Sequence, residues 1–203
     1  LKRAGLAGIV IVATGAGAIG LLAGRQAVES PRTANAMEAP SGEAASGADL
    51  VEFLDEQAGF AISYPKAWVR PPSPDPQIAL IAAEKDPAAN QGGSILVRVT
   101  ALEAAVGREQ LAEARKATDA IVNSGQGVQL KAEPAQIEQG GVPGLYYFYT
   151  FGDTVSGQRG AHAHYFLFQG QTMISLVFQA LPEADFVRLA PLLDRVAESF
   201  RVL

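Results

Sequence analysis

The chain has 203 residues, room for one ordinary domain plus extra segments or for two very small domains. Apolar residues make up 48% of it and aromatics only 7%, and its net charge is −5 with no basic run anywhere. That balance argues against a nucleic-acid surface, which needs clustered Lys and Arg. The lack of cysteine excludes disulfides, thiolate metal sites, cysteine nucleophiles and lipidation at a cysteine.

Near the start, residues 8–24 read GIVIVATGAGAIGLLAG, and Gly15, Gly17 and Gly20 satisfy the G-x-G-x-x-G spacing of a dinucleotide-binding turn. That turn also needs an amphipathic helix after it and a second strand ending in an acid about 20 residues on. Here Pro31, Pro40 and a tract of Ala, Ser and Gly follow instead, and nothing positions Glu38 or Glu43. No dinucleotide, and no other cofactor, is therefore expected. Residues 4–24 carry no charge over 21 positions, long enough to cross a bilayer core. The segment 1–24 is expected to be a transmembrane signal anchor, with Gly20 and Gly24 in the G-x-x-x-G spacing at which two membrane helices can pack.

Lys2 and Arg3 precede this run, while Arg25 and Arg32 after it alternate with Glu29 and Glu38. The positive-inside rule then leans towards a cytoplasmic N-terminus and a single-pass protein of the cell membrane whose C-terminal domain is extracytoplasmic. Ala34-Asn-Ala36 also fits an A-x-A peptidase site, so secretion after cleavage near Ala36 is the alternative. Residues 25–49 hold almost no large apolar side chains and cannot offset their ordering entropy, which predicts a disordered linker.

From residue 50 the pattern changes. Alternation over 51–53, 59–64, 77–83 and 94–102 predicts half-buried strands. Over 107–124 the period becomes helical, with Leu111, Ala114, Thr118, Ile121 and Val122 on one face. Strands resume over 127–139 and 142–152, and two more, 161–168 and 172–180, are joined by Gln-Gly-Gln. A second amphipathic helix carries Phe186, Leu189, Leu193, Val196 and Phe200, with Pro191 expected to kink it or start a fresh turn. The expected class is α+β, a mostly antiparallel sheet flanked by helices over residues 50–203.

Two stretches carry a family resemblance. Residues 59–68, GFAISYPKAW, resemble the G-F-x-[IF]-x-[YL]-P-x-G-W opening of PsbP-like domains, and 196–202, VAESFRV, resembles the family's closing helix and short strand. Ala67 stands where the family commonly has Gly. This PsbP-like, Mog-type family includes actinobacterial envelope proteins of the LpqN and alanine–proline-rich antigen types. The resemblance implies a fold for residues 50–203 and is nearly silent about activity.

Few residues offer chemistry. His162 and His164, two apart on a strand, share a face and could hold a metal between two imidazoles, with Asp153 the nearest further ligand. Their alternation with Phe166 and Phe168 also fits solvated or hydrogen-bonded histidines on a strand running from exposed to buried. No G-x-S-x-G elbow occurs and no acid–base carboxylate pair stands out, so no catalytic residue is assigned. In the run 145–151, LYYFYTF, Tyr147, Tyr149 and Phe151 share one face and Tyr146 and Phe148 the other. This fits a central strand covered on both sides, or one face forming a partner or ligand surface through Tyr147 and Tyr149. Trp68 beside Pro65 could line such a groove, or cap the core. The expected protein is a membrane-anchored, extracytoplasmic, non-enzymatic domain that binds a protein partner or envelope component. The alternatives are a metal- or small-ligand module at His162 and His164, and an accessory subunit of a membrane complex.

Overall fold

The computed structural model describes residues 48–84 and 91–203. The expected membrane span with Gly20 and Gly24, the Ala36 site and nearly all of the linker lie outside the described residues. Among the described residues no helix is long and apolar enough to cross a membrane.

Among the described residues ten strands and two α-helices follow one another. In chain order they are β1 (Leu50–Asp55), β2 (Phe60–Pro65), β3 (Ile78–Ala83), β4 (Gly92–Ala101), α1 (Leu111–Asn123), β5 (Gln129–Leu130) and β6 (Ala135–Gln139). Then come β7 (Val142–Gly152), β8 (Arg159–Gln169), β9 (Thr172–Leu181), α2 (Phe186–Glu198) and β10 (Arg201–Val202). All pairings are antiparallel. The main sheet has the order β3-β4-β9-β8-β7-β5, with β6 sharing the same edge of β7 as β5. A small second sheet has the order β1-β2-β10.

The sheet is two-sided because the pleat sends successive residues to opposite faces. One face of the main sheet packs against α2 and the small sheet. There Phe60, Ile62, Leu80, Ile95, Val97, Leu167, Ile174, Leu176 and Phe178 meet Leu189, Leu193, Val196 and Phe200. The other face packs against α1, where Leu145, Tyr147, Tyr149, Phe166, Phe168 and Met173 meet Leu111, Ala114 and Val122. The α+β class expected from the sequence is the one found, and its helices lie on opposite faces.

Turn chemistry sets the registers. Gly140 and Gly141, with φ of +59° and +86°, make the two-residue β6–β7 turn, a conformation that suits glycine. A Cβ on Gly140 would also stand 2.7 Å from the Phe200 ring. Two expectations need correction. The single strand expected over 127–139 is two short strands: Lys131 N–H still bonds Phe148 C=O, after which the chain leaves β7 and Pro134 has no N–H to give. Pro191 does not start a fresh turn, since α2 runs through it. The carbonyl that Pro191 leaves unserved belongs to Val187, which is 83% exposed, so water can take its place.

Candidate functional site

The two histidines sit on β8 beneath the edge of α1, opposite Tyr149 and Tyr147 of β7: His162 pairs with Tyr149 and His164 with Tyr147. On the other side β9 places Gln179 opposite His162, and Ser175 lies one pleat from His164. These five side chains form one continuous chain of hydrogen bonds. Ser175 Oγ lies 2.5 Å from His164 Nε2, and His164 Nδ1 is 3.2 Å from the Tyr149 hydroxyl. That hydroxyl is 3.0 Å from His162 Nδ1, and His162 Nε2 is 2.9 Å from Gln179 Oε1.

The amide oxygen of Gln179 only accepts, so His162 carries its proton on Nε2 and the other directions follow. Tyr149 donates to His162 Nδ1, His164 Nδ1–H donates to Tyr149, and the Ser175 hydroxyl donates to His164 Nε2. With both rings kept neutral by burial, they are opposite tautomers. Burial pushes His162 down to about 4, against a weaker opposing effect of the Gln179 hydrogen bond. His164 is held well below the usual histidine range by burial and then by its neighbour His162, and burial raises the Tyr149 hydroxyl. Aromatic rings wall the chain in: Phe151 lies 4.2 Å from the His162 ring and Phe166 stacks 3.9 Å from that of His164.

A metal between these imidazoles would have to break this chain, because all four ring nitrogens already have partners. Asp153 is turned into its own loop, where Oδ2 accepts from the N–H and hydroxyl of Ser156, both at 2.6 Å. Among the described residues no group of three or more His, Cys, Asp or Glu side chains could hold a metal. Sequence spacing placed the two histidines on one face. It could not show Tyr149, Ser175 and Gln179, which come from two flanking strands and depend on their registers.

The residues considered for a partner surface lie inside. Tyr147 is 1% exposed, its hydroxyl held 2.7 Å from both Thr118 Oγ and Asp119 Oδ1 of α1, and Tyr149 is 5% exposed. Trp68 is 9% exposed and packs over Gly93, so close that a Cβ there would stand 2.9 Å from both its ring and Leu189. It caps the sheet's end. The half-open aromatic surface is on the other face, where Tyr146, Phe148 and Tyr165 stay partly exposed beside Phe186 of α2. Sequence alternation separated the two sets of rings, but which set is left half-open depends on where α2 docks.

No family model matches the sequence, and no curated protein matches it. Solved structures do. LpqN of Mycobacterium tuberculosis, involved in cell envelope biogenesis, superposes with a TM-score of 0.55 at 12% identity, over 77% of this chain and 85% of that one. The solution structure of PsbP from the cyanobacterium Synechocystis gives 0.51 at 15% identity, over 77% and 94%. The Saccharomyces cerevisiae Ran-binding protein Mog1p gives 0.50 at 11% identity, over 77% and 96%. This chain has the PsbP-like, Mog-type fold. It spans about half, 48%, of a further similar structure, from Bacteroides thetaiotaomicron. Identities this low speak for the PsbP-like fold alone, and the fold leaves the surface chemistry to each chain.

Proposed function

We propose that the protein is a membrane-tethered, extracytoplasmic and non-enzymatic domain that docks a protein partner or an envelope component. The observation that carries this reading is the shared fold: one structure of that fold is named for binding Ran, and another is involved in cell envelope biogenesis. The buried chemistry fits. The histidines are neutral and saturated by internal hydrogen bonds, an arrangement that orders a core and presents no reactive atom to solvent. The uncharged run 4–24 would act as the tether, keeping the domain at high local concentration beside membrane partners.

The test is purification of the full chain from its native membrane in mild detergent. A stoichiometric co-purifying protein or envelope glycolipid is the expected result. Recovery of the chain alone, or from the soluble fraction, would refute the reading. Replacing residues 4–24 with an unrelated span then separates two arrangements: retention places the contact on the domain, and loss makes the span itself the interface of an accessory subunit.

A further inference from the structure

The half-open aromatic face has a defined chemistry. Tyr146 and Tyr165 are cross-strand partners, with ring centroids 4.9 Å apart and planes tilted by 57°. One pleat along β7, Phe148 packs on Phe186 at the start of α2, centroids 4.8 Å apart. Neither tyrosine hydroxyl hydrogen-bonds to another described residue, unlike those of Tyr147 and Tyr149. Just over two helical turns beyond Phe186, the same helix brings the exposed Asp194 close enough for its charge to act on both tyrosine hydroxyls.

Among the described residues no ion pair joins Asp194 to a cation, and Arg188 of the same helix pairs with Glu84. A carboxylate in the C-terminal half of a helix gains nothing from the helix dipole. Faces of electron-rich rings attract a cation, a carboxylate at their rim adds charge complementarity, and a planar guanidinium can satisfy both at once.

The geometry points to Tyr146, Tyr165 and Asp194, backed by Phe148 and Phe186, as a docking site for an arginine or lysine side chain of a partner protein. Such a partner presents a basic segment to a domain that is itself acidic. This rests on the binding reading above and deepens it by naming the surface and the partner's charge.

The test uses the full chain in detergent with ring-labelled tyrosine, its five tyrosines distinguished by single Tyr→Phe variants. A short Gly/Ser peptide with one arginine is titrated in, against the same peptide with neutral citrulline. The expected result is that the arginine peptide shifts the Tyr146 and Tyr165 signals and leaves those of buried Tyr147 and Tyr149. The citrulline peptide should be several-fold weaker, and Asp194→Asn should weaken the arginine peptide by about threefold to fivefold. Asp194 is exposed, so this variant keeps the fold. Equal shifts from both peptides, or none at Tyr146 and Tyr165, would overturn the inference whether or not a partner is known. Where the membrane purification yields a partner, Asp194→Lys should lose it. Its undiminished capture would sink this site and leave the binding reading standing.

Discussion

The two faces of the main sheet are built from the same strands but solve burial differently. Beneath α2 the interior is almost all carbon, and Thr150 is the buried polar side chain of that face among the described strands. Beneath and beside α1 lie Thr100, His164, Ser175 and Gln179, all buried, with His162 half-buried among them. Apolar packing needs only shape, whereas buried polar groups need every donor and acceptor matched, and the chain from Ser175 to Gln179 supplies that match. One face is therefore expected to carry stability through volume, and the other through hydrogen-bond geometry.

The largest break should come on the carbon face. Phe178→Ala removes a ring that is 1% exposed and should cost about 3–5 kcal/mol, read from urea denaturation of the full chain in detergent by fluorescence of Trp68, the lone tryptophan. Gly93→Ala on the same face overpacks the Trp68–Leu189 contact and should cost about 1–3 kcal/mol by the same assay.

On the polar face Tyr149→Phe keeps the volume but leaves two histidine nitrogens unserved. A loss of about 1–3 kcal/mol is expected, and a value near zero would mean that the chain contributes no net stability.

The two buried histidines give this face a pH dependence of its own. A histidine whose folded-state pKa lies below its unfolded value of about 6.5 stays neutral while the unfolded chain takes up protons. Its stabilising effect is complete above that value and is lost as pH falls towards its folded-state pKa, here about 4 for His162. Stability measured from pH 7.5 to 4 should fall by up to about 1.4 kcal/mol per pH unit for each histidine. His162→Gln should flatten the slope, and Phe178→Ala should leave its shape unchanged. The smallest effect is reserved for Val187→Ala on the outer side of α2, within about 0.5 kcal/mol, because that side chain is 83% exposed.

How far these faces could be read from sequence follows the range of the forces involved. Alternation in 145–151 sorted Tyr147 and Tyr149 from Tyr146 and Phe148 correctly, because the pleat is local. It could not say which set α2 would leave half-open, since that helix begins more than 30 residues later and docks through Leu189, Leu193 and Val196. The histidine pair was visible as a spacing. Its meaning as part of a hydrogen-bonded chain required the registers of β7, β8 and β9. Trp68 was open to either reading until Gly93 and Leu189 were brought against it. The break between β5 and β6 had a local signal in Pro134, but helix and strand periodicity gave it no weight.

The small sheet sets an order of events during synthesis. β2 gains its first neighbour at once, because β1 pairs with it across a short turn, whereas its other neighbour, β10, is made only after α2. Until Arg201 and Val202 leave the ribosome, β2 presents an open row of amides and carbonyls to whatever nascent chain lies near. A chain truncated just after α2 would thus have its core elements made but one seam unlatched, an edge open to pairing with a second copy of itself.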